Sequence, residues 1–206
     1  WMRDAGQGEA LLGAYARMVR EQPSTPILRW HQGRVVFLHA DQLRRDGNFQ
    51  GALAAYGKSD GIFGEYLAMV PAHADAANQW RALCNLSMSR CAVESGDLTT
   101  AERHLFAAGV TSPAATTYEN GAPQLVDSFG NHFHGALFAI HRALAETGDD
   151  ALARTLAFNE RVLKQYPGRW GFLHNNAALA ARDLGVQRAQ AGDESAAMEL
   201  WERSYR

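Results

Sequence analysis

The sequence predicts an all-α chain of antiparallel helix pairs with no sheet, and three observations carry the prediction. A glycine followed by Asn or Asp recurs at Gly47-Asn48, Gly96-Asp97, Gly148-Asp149 and Gly192-Asp193. Five positions after each glycine stands an alanine, at Ala52, Ala101, Ala153 and Ala197. The stretches on either side carry apolar residues at spacings of three and four, the mark of helices with one buried face.

Each turn has the same physical logic. Glycine accepts the left-handed backbone that ends a helix, and the Asn or Asp after it caps the free amides of the next. A connection this short folds the second helix back on the first. The alanine then lies one turn inside, where a small side chain lets the two backbones approach closely.

Taken in order, Gly8 to Glu21, closed by Pro23, reads as a leading helix within residues 1–23, a second helix without its partner. Pairs follow at about 26–69, 72–109, 127–166 and 169–206. Their first helices are periodic and poor in breakers, most clearly at Leu137, Ile140 and Leu144 and at Leu184-Gly185. Their second helices show apolar faces in Leu53 and Tyr56, Leu105 and Ala108, Leu156, Val162 and Leu163, and Met198 with Trp201. Pro113 and Pro167 stop two of them. Gly57, Gly61 and Gly64 are expected to weaken the second helix that starts near Phe49. Residues 110–126, with Pro113, Gly121 and Pro123, read as an inserted loop. Trp30, Trp80 and Trp170 are expected to pack between neighbouring pairs, because large aromatics dominate core burial.

The order Leu-Gly, Gly-Asp, Ala and a closing Pro resembles the tetratricopeptide repeat over about residues 26–206, best from Ala92 to Pro113 and from Leu184 to Trp201. The turn glycines are about 44 to 52 residues apart against a family period of about 34, so the first helices are expected to be longer or the loops to carry insertions. His39 and His141 also occupy positions that the family fills with Leu and a small residue. The resemblance implies one right-handed α-solenoid over residues 1–206, a fragment of a longer protein. It implies a scaffold that holds a protein or peptide in a concave groove. The alternative is a non-catalytic regulatory or substrate-recruiting domain of a larger enzyme.

Composition narrows the partners. A net charge of −2 and a pI near 6.5 supply no broad cationic surface for nucleic acid or an acidic membrane. No apolar stretch reaches the roughly 18 to 20 residues of a membrane span. If Cys84 and Cys91 share a helix they stand about 10 Å apart, too far to bridge, so both read as reduced and buried; that favours a reducing compartment such as the cytoplasm, with a periplasmic protein carrying unpaired thiols as the alternative.

Chemistry finds little footing. His134 and His141 fall on one helical face about 10 Å apart and cannot share an ion, while His132 joins His134 only in extended backbone. No HExxH, CxxC, GxSxG or glycine-rich phosphate motif is present. Asp149-Asp150 and Asp193-Glu194 stand at helix starts, where carboxylates oppose the positive helix end. The chain therefore reads as having no catalysis, cofactor or metal of its own.

What remains is a surface. In the family, the side chains facing the groove lie ten, six and two residues before the turn glycine. That implies Phe37, Leu86, Phe138 and Arg182 in one row, Asp41, Arg90, Arg142 and Val186 in the next, and Arg45, Glu94, Glu146 and Gln190 in the third. The binding residues so implied are Phe37, Asp41, Leu86, Arg90, Phe138, Arg142 and Arg182. They would suit a peptide with apolar anchors and acidic groups, because the guanidinium fork matches a carboxylate. Lengthened first helices would instead shift the register and bury Phe37, Leu86 and Phe138. The Lys and Asn pattern by which some family members clamp a C-terminal carboxylate is absent at these positions.

Overall fold

The computed structural model describes residues 5–112, 125–146, 150–166 and 171–204, and all regular structure among them is helical. The helices are α1 (Ala5–Glu21), α2 (Pro26–Arg45), α3 (Phe49–Met69), α4 (Ala74–Glu94), α5 (Leu98–Thr111), α6 (Leu125–Ala145), α7 (Ala151–Gln165), α8 (Gly171–Gln190) and α9 (Glu194–Ser204), with a 3-10 turn at Pro71–His73. No helix among the described residues is long and apolar enough to cross a membrane. The Gly148 turn, Trp170, Pro113, Pro167 and most of the expected loop over 110–126 lie outside the described residues.

Three turns share one construction. Gly47, Gly96 and Gly192 take φ of +76°, +82° and +83°, the left-handed backbone that a side chain would strain. Each glycine N–H bonds the carbonyl three residues back, and the next N–H bonds the carbonyl five back, so the last carbonyls of the first helix are satisfied. The residue after each glycine then caps the second helix. Asn48 Oδ1 accepts from Gly51 N–H at 2.9 Å, Asp97 Oδ1 from Thr100 at 3.0 Å and Asp193 Oδ1 from Ala196 at 3.2 Å. Ala52, Ala101 and Ala197 follow one turn in, all fully buried.

Packing divides the chain into two units, one up to Ile140 and the other from His141 onward, with the boundary inside α6. In the first unit, contacts widen symmetrically about the Gly47 turn. Asp41 meets Tyr56, the Gly33 carbonyl accepts from Ser59 Oγ at 2.9 Å, and Trp30 meets Tyr66, so α3 runs back along α2. By the same rule α4 runs back along α3, where Trp80 stacks on Phe63 and Cys91 reaches the Phe49 carbonyl. α5 runs back along α4, with Ser89 Oγ donating to Ala101 O at 2.8 Å. α3 therefore packs on α2 and α4 together, and the core between them joins Phe37, Ala40, Ala52, Tyr56, Phe63 and Cys84. Trp30 and Trp80 complete it as half-buried rings 6.3 Å apart, one from each first helix.

α3 is unbroken over 21 residues, although it contains Gly57, Gly61 and Gly64. Each glycine costs the helix about 1 kcal/mol, but the buried row Ala52, Tyr56, Ser59, Phe63 and Tyr66 outweighs that by packing on two helices.

In the second unit α8 packs on α7 and on α9. Leu156, Ala180, Ala181 and Leu200 form its core. Gly185 lies under Trp201: a Cβ there would stand 2.5 Å from the indole nitrogen. The glycine of the Leu184-Gly185 pair thus makes room for the Trp201 ring of α9 against α8.

Candidate functional site

The first unit places two first helices side by side. Trp80 of α4 touches Trp30 and Phe37 of α2, and Arg44 of α2 bonds Glu94 of α4 at 2.8 Å, so residues about fifty apart lie level on parallel helices. α3 covers one side of this pair of helices. Of α2, Arg34, Leu38 and Arg45 are exposed, and this stripe is its open side; on α4 every residue from Ala82 to Ala92 is buried or half-buried.

A polar cluster fixes the C-terminal halves of these helices. Tyr56 of α3 donates to Asp41 Oδ1 at 2.5 Å, and Arg44 beside it pairs with Glu94. Burial, and then the Asp41 carboxylate, push the Tyr56 phenol far above its ordinary range, so it stays a donor. Burial works against the Arg44 cation, but Glu94, with Tyr56 and Asp41, outweighs it and holds the arginine pKa above its ordinary value. A second chain of contacts ties α3, α4 and α5. Asp60 accepts from Arg81 at 3.0 Å, the Arg81 carbonyl accepts from Asn85, and Asn85 Oδ1 meets His104 Nδ1 at 3.0 Å.

The open side of α2 carries Arg34, Leu38 and Arg45, with the half-buried Asp41 at its edge, at helical steps of four, three and four. Leu38 is 40 % exposed, a large apolar side chain in water. The matching positions of α4 are Ser87 and Arg90, both half-buried, and the exposed Glu94.

The seven residues expected in a groove separate. Phe37, 7 % exposed, is core: its ring lies 5.3 Å from Tyr56 and 5.6 Å from Trp80. Leu86, 1 % exposed, is interior as well. Neither offers surface to a ligand, which corrects that row for α2 and α4. The physical reason is that a long first helix is covered by its own second helix and by a neighbouring first helix. The buried arc then extends past Phe37, and the open stripe starts one residue later, at Leu38. Phe138 of α6 is 56 % exposed. Asp41 is half-buried and engaged by Tyr56, and Arg90 is half-buried with no carboxylate partner among the described residues.

Arg142 and Arg182 belong to the second unit. Both are exposed, Arg142 paired with Glu146 at 3.6 Å and Arg182 with Asp183 at 2.7 Å. Arg182 lies between Leu179 and Val186 on the exposed side of α8.

Cys84 and Cys91 are unpaired and buried. Burial pushes the Cys84 thiol up to about 12 despite its bond to Ser59 Oγ. Desolvation lowers the pKa of His104 and of His141, whose Nε2 lies 3.5 Å from the Asn159 amide. The side chains of His132 and His134 lie outside what the structure describes. Among the described residues no three His, Cys, Asp or Glu side chains converge on a metal position.

Leu38, Arg34 and Ser87 were not singled out from the sequence. Periodicity shows that α2 has a buried side, but not which residue ends it. Neither a scan against protein-family models nor a search of curated proteins finds a match to the chain.

Proposed function

We propose that the chain is a tetratricopeptide-like scaffold, a right-handed α-solenoid that binds a protein or peptide on the open side of its first helices and performs no chemistry itself. The observation that carries this is the repeated unit. One turn construction occurs three times, and α3 lies in the furrow between two parallel first helices. Stacking of that kind leaves the far side of the first helices uncovered, and repeat arrays use such extended surfaces for recognition. The exposed Leu38 among Arg34, Arg45 and Arg90 fits that use. We read the protein as cytoplasmic, since both thiols are unpaired.

The test is selection of a random twelve-residue peptide display library on the whole immobilised chain. Selected peptides are expected to lose at least tenfold in affinity to Ser87→Trp, which obstructs the open side, and to weaken on Leu38→Gln, with helical circular dichroism retained. Failure to select any peptide that responds to these two variants refutes the reading.

A further inference from the structure

We infer that Tyr66 and His73 form a pH-sensitive latch on the joint between α3 and α4, closed while the His73 imidazole is neutral and released when it takes up a proton. The joint is short. α3 ends at Met69, Val70 and the 3-10 turn Pro71–His73 follow, and α4 starts at Ala74. Backbone bonds shape it: the Val70 N–H donates to the Tyr66 carbonyl at 2.9 Å and the His73 N–H to the Val70 carbonyl at 3.0 Å. One side-chain bond spans it, between the Tyr66 hydroxyl and His73 Nδ1 at 2.5 Å, with the two rings 6.0 Å apart. Tyr66 is buried against Trp30 of α2, with ring centroids 5.0 Å apart, whereas His73 is exposed and within reach of a change in the solvent.

The direction of that bond decides its response to pH. The hydrogen of a buried phenol needs an acceptor, and Nδ1 is the one the joint provides, so the hydroxyl donates and the neutral imidazole carries its own proton on Nε2. Protonation turns Nδ1 into a donor and leaves the Tyr66 hydrogen without an acceptor. It also puts a cation on the residue that caps the start of α4, where the helix presents its positive end. Both effects act in one direction. The closed joint excludes a proton that the open joint accepts, so falling pH favours release. The charged groups of the surrounding helices leave this balance in place. Glu65 of α3 is taken by Arg29 of α2 at 3.0 Å, and Asp60 and Arg81, further along α3 and α4, pair with each other at 3.0 Å. Lys58 on α3 and Arg90 and Glu94 on α4 stand two turns or more from the joint. Asp75, exposed in the first turn of α4, is the carboxylate left to attract the imidazolium, and it lies on the side of α4 rather than of Tyr66.

Amide hydrogen exchange of the whole chain, corrected for the intrinsic rate at each pH, tests the latch. Protection of the Val70, His73 and Ala74 amides should fall about fivefold or more from pH 7.5 to pH 5, the counterpart of one lost hydrogen bond over the range in which imidazole changes charge. Tyr66→Phe removes the donor and should leave these amides weakly protected at both pH values. His73→Gln supplies an acceptor that does not titrate and should keep them protected at both. His104 and His141 are present in parent and variant alike, so the difference between the two isolates His73. Long-range nitrogen–proton NMR spectra of the parent at pH 7.5 should show the His73 ring proton on Nε2. A ring proton on Nδ1 at that pH overturns the latch, as does parent protection that ignores pH or falls equally in His73→Gln.

Discussion

Replacing Gly33 by Ala tests how closely α2 and α3 approach. A Cβ at Gly33 would stand 2.9 Å from Phe63 Cζ and 3.0 and 3.1 Å from its two Cε atoms, well inside the ~3.5 to 4.0 Å of a relaxed carbon contact. Phe63 has nowhere to go. It is fully buried, stacked on Trp80 at 5.3 Å and met edge-on by Trp30 at 5.3 Å. Overpacking of this kind costs about 1 to 3 kcal/mol, while Ala gains about 1 kcal/mol over Gly in a helix. Gly33→Ala is therefore neutral to destabilising by about 2 kcal/mol. Gly57 on α3 is the control: its Cβ would meet nothing within 4 Å, so Gly57→Ala keeps the whole propensity gain. At about 2 to 4 °C per kcal/mol for a chain of this size, Gly33→Ala should melt about 2 to 12 °C below Gly57→Ala. Thermal melting followed by circular dichroism reads the difference. Equal stabilisation by both substitutions would refute the close approach of α2 and α3.

Phe37→Ala should cost about 3 to 5 kcal/mol in urea unfolding and Phe138→Ala less than about 1, since the first ring is core and the second largely exposed; equal losses would contradict the division of that row. Burial holds His104 and His141 below their ordinary pKa in the folded chain, so the unfolded chain takes up protons first. Their contribution to stability is complete above the unfolded value of about 6.5 and is lost as pH falls through the lowered folded values. The urea midpoint should drop from pH 7.5 to 5, and His104→Gln with His141→Gln should flatten that drop; an unchanged slope in the double variant would reject the assignment. Iodoacetamide at pH 8 should leave Cys84 unmodified in the native chain and alkylate it in urea, since the thiol is buried with a pKa near 12; rapid native labelling would show the site opens.

Much of the fold is legible in the sequence because it is written in local chemistry. Gly47-Asn48, Gly96-Asp97 and Gly192-Asp193 specify a left-handed stop and a cap within two residues, and no distant contact is needed to read them. The two tryptophans Trp30 and Trp80 also lie between helix pairs as their size suggests. The open side is less legible. A helix turns about 100° per residue, so a register error of one position exchanges buried Phe37 for exposed Leu38. That register depends on a neighbouring first helix about fifty residues away, through Trp80 and Glu94. Nor does α3 announce its continuity, since its glycines argue locally against it and only packing on two helices decides.

Amide hydrogen exchange on the whole chain, with and without the tightest selected peptide, tests the central claim of a partner-binding first-helix surface. Exchange should slow in α2 and α4, most strongly from Arg34 to Arg45 and around Arg90, and stay unchanged in α5. Slowing confined to α3 or α5, or none at saturating peptide, would contradict it.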